Sequence, residues 1–415
     1  MIIYKQYDSG LQLIVKKMNG LMSVSAGVFV KCGSANETAE ENGISHFIEH
    51  CVFKGTTTRS AFDISDEIDR LGAQINAYTS KETTCYYIKA TSEHFNSALG
   101  ILSDVFFNST FLPDELDKER EVILQEIAMT NDSPEDLTLD KMSESYFGDS
   151  GYGAQILGTE QNVKRFTRAD VLKYMDKYYV PKNVVISIAG NVDLDNIEKT
   201  VKELFDDKFC RFGAENLYIP GGESQKGNVN IVKDVEQSHF AIAMPTCNIS
   251  SPRVNAVNII TAVFGGGMSS RLYQTVRENL GLAYSVYSFA SLYMKAGTLC
   301  VYAGVSNAKR DVAFNAVVDE IKKIRDKGLT EKEFLSGKEQ VKSSLIMSQE
   351  STSTQMQLYG LNLLRKGDVF NLERKIIDIN ELDLSDVNRV VKSNFDLEQA
   401  AIVSVGNNKN KLELK

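Results

Sequence analysis

Two of the chain's four histidines fall within one window, His46-Phe47-Ile48-Glu49-His50. On a helix, His46 and His50 are four residues apart, so both imidazoles project from one face, one turn apart. That spacing lets two neutral nitrogens bind one Zn²⁺ at about 2.0–2.1 Å. Glu49 shares the face and could take a proton from a water at the metal. The window predicts a hydrolytic zinc site; the alternative, a surface helix with two solvated histidines, is disfavoured because histidine is scarce here.

A third protein ligand must come from elsewhere, because catalytic zinc sites usually have three protein ligands and one open position. The other two histidines stand alone, without ligand spacing. Glu119 and Glu126 lie on one stripe of a helix predicted over residues 114–130, together with two apolar residues. A carboxylate on such a stripe is costly unless it is paired or metal-bound. Glu126 is therefore the better candidate, although the spacing fits an exposed helix face about equally well.

The composition is that of an ordinary globular protein, and its charge argues against nucleic acid and anionic membranes as partners. The chain has 415 residues, of which 43% are hydrophobic and 24% charged, and its net charge is −9. An acidic chain without a long Lys/Arg block is a poor binder of nucleic acid or of an anionic membrane. No apolar run reaches the roughly 18–20 residues that span a bilayer. We therefore expect no nucleic-acid partner and no membrane association.

Cysteine usage indicates a reducing compartment. The six cysteines are scattered and contain no C-x-x-C pair, so we expect reduced thiols and a cytoplasmic protein. The first residues read directly as strand, so no signal peptide is expected. Cys51 follows His50, but adjacent helical side chains diverge by about 100°, which disfavours a Cys-His nucleophile.

The elements that must position these residues alternate between strands and helices. The motif helix is predicted over residues 40–53, and a capping box formed by Ser60 and Asp63 begins the next helix. Further predicted segments share clear periodicity or turn signals. The strands are 11–16, 21–32, 73–79, 83–91, 184–189, 228–233, 238–244, 284–291, 298–304 and 400–405. The later helices include 168–178, 193–205, 251–264, 308–326, 330–348, 371–379 and 385–395.

The two halves of the chain echo each other. Residues 87–91 resemble residues 300–304, and residues 185–190 resemble residues 401–406. This repetition predicts an α+β fold of two similar domains, each a mostly antiparallel β-sheet packed with helices. The predicted division is a zinc-binding catalytic domain over 1–212, a linker over 213–227 and a second domain over 228–415.

The segments 43–50, 76–80 and 119–127 together resemble the pitrilysin/insulinase family of zinc peptidases, whose reversed zinc motif is called inverzincin. The similarity is greatest to the short-chain branch that includes mitochondrial processing peptidase and its bacterial relatives. It covers essentially the whole chain. It implies that each chain forms half of a clamshell, and that a homodimer encloses the peptide substrate.

This resemblance also assigns roles to individual residues. It implies His46, His50 and Glu126 as the ligands of one Zn²⁺ per chain. It implies Glu49 as the general base and Glu119 as a second acidic residue that supports the site.

Two further segments are expected to handle substrate. Arg277 and Tyr284 match a family pair that reaches the substrate from the second domain, where a guanidinium and a phenol can donate to a carbonyl oxygen gaining charge. The predicted strand over 73–79, with its residues Asn76, Ala77, Tyr78 and Thr79, is expected to bind an extended peptide by β-augmentation.

The sequence therefore predicts a zinc-dependent endopeptidase that cleaves extended peptides or unfolded, presequence-like segments. The alternative is a non-catalytic scaffold or a subunit of a larger complex, because some relatives keep the fold without the activity. All the motif residues are intact here, which favours the enzyme.

Overall fold

A computed structural model describes residues 1–149, 151–209 and 224–414, which form two compact units. The first unit contains residues 1–127, 155–209 and 348–370, and the second contains the described remainder. Relative to the division expected from sequence, segment 128–154 belongs with the second unit and segment 348–370 with the first. Residues 213–223 of the expected linker lie outside the described residues, and a strand already begins at Gly227.

The described strands and α-helices follow in chain order. The strands are β1 (Ile2–Gln6), β2 (Gln12–Lys17), β3 (Ser23–Val30), β4 (Gln74–Thr79), β5 (Thr84–Thr91), β6 (Val184–Gly190), β7 (Gly227–Val232), β8 (Gln237–Pro245), β9 (Ala283–Leu292), β10 (Gly297–Ser306) and β11 (Ala401–Gly406). The helices are α1 (Ile44–Cys51), α2 (Ala61–Arg70), α3 (Phe95–Asn108), α4 (Pro113–Asp132), α5 (Pro134–Phe147), α6 (Glu160–Arg165), α7 (Arg168–Tyr178), α8 (Leu194–Leu204), α9 (Val254–Gly265), α10 (Arg310–Lys327), α11 (Glu331–Met347), α12 (Thr352–Lys366), α13 (Leu372–Glu381) and α14 (Leu384–Asn394).

Each unit is built on one mixed sheet. The first sheet has the order β1-β2-β6-β3-β5-β4, and the second has the order β7-β11-β8-β10-β9. In each sheet one neighbouring pair is parallel, β2 with β6 and β7 with β11, and the other pairs are antiparallel. The α+β fold with two similar domains is confirmed.

The internal repeat is visible in the topology. Strands β2, β6, β3, β5 and β4 of the first sheet correspond in order and direction to β7, β11, β8, β10 and β9 of the second. The echoed segments 87–91 and 300–304 lie on the matching strands β5 and β10, and the segments 185–190 and 401–406 lie on β6 and β11. The sequence echoes therefore mark equivalent strands.

Helix α12 was not predicted from the sequence, and it covers one face of the first sheet. The Ser187 hydroxyl donates to the Met356 carbonyl at 2.7 Å, and the hydroxyls of Ser25 and Thr352 are 3.0 Å apart. Every residue of β3 from Val24 to Val30 is buried. The strand is buried on both faces because the core of the unit packs on one and α12 on the other.

Gly360 of α12 packs closely against β3, whereas Gly100 in α3 has open space beside it. Replacement of glycine by alanine should therefore have opposite effects on stability at these two sites. A Cβ at Gly360 would lie 2.4 Å from the ring of the buried Phe29, whereas a Cβ at Gly100 in α3 would meet no atom within 4 Å. We expect Gly360→Ala to destabilise the protein by about 1–3 kcal/mol through overpacking. Gly100→Ala should stabilise it by about 0.5–1 kcal/mol because a helical glycine is removed.

Urea unfolding followed by circular dichroism measures both variants. An unchanged midpoint for Gly360→Ala would contradict the close packing of α12 on β3.

The described residues contain no helix that is both long and apolar enough to cross a bilayer. Five cysteines, at positions 32, 51, 85, 247 and 300, are free thiols. Cys210 lies outside the described residues.

Candidate metal centre

Helix α1, which carries the motif, is shorter than predicted and begins at Ile44, directly after Gly43 with φ of 100°. The buried carboxylate of Glu37 accepts hydrogen bonds from the backbone N–H groups of Gly43 at 2.7 Å and Ser45 at 2.9 Å. Burial raises the pKa of Glu37, and these hydrogen bonds oppose that rise. The sequence reading missed Glu37, which satisfies orphan N–H groups at the start of the helix and so anchors it.

The side chains of His46, His50 and Glu126 converge, with one potential ligand atom from each lying within 4.8 Å of the others. Glu126 Oε2 is 3.6 Å from His46 Nε2 and 3.5 Å from His50 Nε2. Ligands about 2.1 Å from a tetrahedral zinc ion are separated by about 3.4 Å, so the spacing fits the metal. Two imidazoles and one carboxylate are also a ligand set that catalytic zinc uses.

The protonation of the two histidines differs. Burial lowers the pKa of His46 to about 4, which keeps the ring neutral and able to bind a metal at pH 7. Burial also acts to lower the pKa of His50, but Glu126 and Glu119 outweigh it and raise that pKa. The acidic surroundings of His50 therefore favour a cation at this position, whether a proton or a metal ion.

Glu119 lies on the other side of His50 from Glu126. Its Oε2 atom is 3.2 Å from His50 Nδ1, and its Oε1 atom is 2.7 Å from Lys54 Nζ. The side chain of Glu119 is 9% exposed. This places Glu119 where a carboxylate can orient a metal-binding imidazole through its second nitrogen.

Glu49 lies near His50 and Glu126, and near Thr79 at the end of β4. Its Oε2 atom is buried and has no hydrogen-bond partner among the described residues. Burial raises the pKa of Glu49, and the nearby Thr79 and His50 partly oppose the rise. A partly buried carboxylate with a raised pKa and a free oxygen is suited to accept a proton near neutral pH.

Strand β4 contains Asn76, Ala77, Tyr78 and Thr79 and forms one edge of the first sheet. The Asn76 side-chain oxygen accepts the Ala77 N–H at 2.8 Å. Among the described strands, only β5 pairs with β4, so the other edge of β4 has no strand partner there.

Arg277 and Tyr284 lie together in the second unit. Arg277 belongs to a π-helical segment, Tyr273–Asn279, and Tyr284 lies near the start of the edge strand β9. The guanidinium carbon is 5.9 Å from the centroid of the Tyr284 ring and 4.8 Å from that of Tyr273. Tyr284 is 75% exposed, so its phenol is available to a ligand.

Two protein-family profiles together match most of the chain. Residues 14–160 match the sequence profile described as insulinase (peptidase family M16), and residues 165–341 match the one described as the peptidase M16 inactive domain. The uncharacterized zinc protease YmxG of Bacillus subtilis is 39% identical over 97% of this chain and 98% of its own length. An uncharacterized zinc protease of Rickettsia felis is 37% identical over 91% of each chain.

Solved structures resemble this one along its whole length. A peptidase M16 inactive domain from Pseudomonas fluorescens aligns with a TM-score of 0.92 and 19% identity, covering 100% of both chains. A protease from Helicobacter pylori aligns with a TM-score of 0.89 and 22% identity, covering 98% of this chain and 99% of its own. At these identities the likeness concerns the fold.

Proposed function

Because the chain belongs to the insulinase family of peptidases, family M16, we propose that it is a zinc-dependent endopeptidase. The observation that carries the proposal is the convergence of His46, His50 and Glu126 with the free carboxylate oxygen of Glu49 beside them. Curated relatives named zinc proteases support zinc as the metal. We assign one ion per chain to these three ligands.

The proposed chemistry divides between the metal and the chain. When bound, Zn²⁺ supplies Lewis-acid polarisation and lowers the pKa of water. Glu49 accepts the proton of the attacking water and returns it to the leaving amine. We propose that Arg277 and Tyr284 donate hydrogen bonds to the substrate carbonyl as its oxygen gains charge.

The edge of β4 that has no strand partner among the described residues supports a proposal about substrate. A peptide that adds to this edge is held by main-chain hydrogen bonds, which read an extended backbone more than particular side chains. We therefore propose extended, unfolded or presequence-like peptides as substrates. Following the family resemblance, we propose a homodimer as the working assembly.

A scaffold role is the second candidate. The observation that favours it is the match of residues 165–341 to a domain described as inactive. That match lies outside the segment that carries His46, Glu49, His50 and Glu126. The peptidase proposal therefore stands on the first half of the chain.

Cleavage of a quenched-fluorescent unstructured peptide tests the proposed function. We expect the purified protein to cleave it, to lose this activity with a chelator, and to regain it when about one equivalent of zinc is added. The activity should depend on the ion because the ion would polarise the scissile carbonyl and lower the pKa of the attacking water. Zinc-loaded protein that cleaves none of several such peptides would contradict the proposal and favour the scaffold.

A further inference from the structure

We infer that Lys54 is a positioning residue of the metal centre, which holds Glu119 so that Glu119 fixes the ring of His50. This inference rests on the zinc site of the proposed function. It assigns a role to a residue beyond the ligands, the general base and the substrate pair.

The contacts form a line from Lys54 to Glu126. Lys54 Nζ lies 2.7 Å from one oxygen of Glu119, and the other oxygen lies 3.2 Å from His50 Nδ1. His50 Nε2 in turn lies 3.5 Å from Glu126 Oε2. Each oxygen of Glu119 therefore has a different partner, and rotation of the carboxylate would break both contacts.

The direction of the hydrogen bonds explains why this line matters. A neutral imidazole carries one N–H, and the nitrogen that lacks it binds the metal. Glu119 accepts the N–H at Nδ1 of His50, which leaves the lone pair at Nε2, the atom that faces Glu126. Lys54 donates to Glu119, so it keeps the carboxylate in the position that selects this tautomer.

The charges around the metal centre also indicate that Lys54 holds Glu119 in place. Glu49, Glu119 and Glu126 contribute three negative charges, and a zinc ion contributes two positive ones. Lys54, whose side chain is 33% exposed, supplies the remaining positive charge at the almost buried Glu119. An ionised carboxylate at that depth is costly without a partner, so Lys54 keeps Glu119 paired where it is needed.

The sequence position of Lys54 fits this role. His46, His50 and Lys54 are spaced four residues apart, and α1 ends at Cys51. The Lys54 N–H donates to the Cys51 carbonyl at 3.1 Å, which holds the chain close to the helix after its last turn. Lys54 therefore lies one turn beyond His50, on the side of α1 that carries His46 and His50.

The test is the zinc affinity of the purified full-length protein, measured by competition with a chromogenic chelator without any peptide. We expect Lys54→Met to weaken zinc binding about 10-fold, as loss of an outer partner of a metal-binding histidine typically does. Lys54→Arg, which keeps the charge and the donor, should remain within about 3-fold of wild type. A Lys54→Met variant that binds zinc as wild type does would overturn the inference.

A matched control distinguishes the positioning role of Lys54 from the effect of losing any salt bridge on α4. Lys118 pairs with Glu115 at 2.6 Å on the same helix as Glu119, but its side chain is 67% exposed. We expect Lys118→Met to leave zinc affinity unchanged. An equal loss in Lys118→Met and Lys54→Met would overturn the inference.

A double variant shows whether Lys54 acts through Glu119. Glu119→Gln should weaken zinc binding by about 10-fold or more, and adding Lys54→Met should weaken it no further. Multiplication of the two losses would contradict the proposed line of contacts. The double variant has no Glu119 carboxylate that would be left buried without Lys54. If Lys54→Met alone does not fold, the double variant can therefore be compared with Glu119→Gln instead.

The readout separates this inference from the proposed function. Zinc affinity is measured without substrate, so a wild-type protein that binds zinc but cleaves no peptide would refute the peptidase alone. Peptidase activity with a zinc affinity insensitive to Lys54 would refute the role of Lys54 alone.

Discussion

A Glu49→Gln variant should bind zinc as wild type does and cleave peptides about 10³-fold more slowly, within the range known for loss of a general base. Glutamine has the same shape as glutamate but cannot take the proton of the attacking water. Glu49 is outside the three proposed ligands, and its Oε2 atom is free of hydrogen bonds within the described residues. The measurement is the initial rate on the quenched-fluorescent peptide, with the zinc content determined on the same sample.

The control for this variant is Glu160→Gln. Glu160 is 57% exposed and pairs with Lys164 on a surface helix. Its loss should change neither zinc content nor rate. If Glu49→Gln cleaved peptides at the wild-type rate, the role of Glu49 as general base would be wrong.

Removal of Glu126, the third proposed ligand, should abolish tight zinc binding. We expect Glu126→Ala to weaken zinc affinity by more than about 100-fold, because losses of 10- to 100-fold already follow from changes outside the ligand set. Metal analysis after dialysis should then find little zinc in the variant. Added zinc should raise the melting temperature of wild type but not of Glu126→Ala, because a ligand stabilises only the form that binds it.

Gln125 provides a matched comparison, since it is adjacent in α4 and exposed. Gln125→Ala should retain zinc through the same dialysis. Full zinc retention by Glu126→Ala would show that another residue completes the site.

The sequence was most informative where function depends on local spacing. His46 and His50 are brought together by one helical turn, so their relation could be read directly. Glu126 comes from α4, and its stripe alone fitted an exposed surface as well as a ligand. Only the folded structure, in which α4 lies beside α1, brings the Glu126 carboxylate to the two histidines. Glu37 was not predicted for the same reason, because its hydrogen bonds to the start of α1 also depend on the fold.

Helix α12 was not predicted, although its sequence carries helical signals. Its buried face carries Met356, Tyr359 and Leu363 at helical spacing. The small or polar residues Thr352, Gln355 and Gly360 are buried on the same face. Its ends did carry local signals, with Ser351 as the N-cap and Gly367 in the left-handed region at φ of 74°. The helix itself was therefore predictable from the sequence, whereas the sheet face that it covers depends on the fold.

The position of α12 in the chain has a consequence for biosynthesis. The last strand of the first sheet ends at Gly190, but the helix that covers this sheet begins only at Thr352. At about 5–20 residues per second, a ribosome needs on the order of ten to thirty seconds to make the intervening chain. During that interval the nascent chain lacks the helix that covers this face of the sheet in the folded protein. The unit that carries the proposed metal ligands is completed only when most of the polypeptide has been translated.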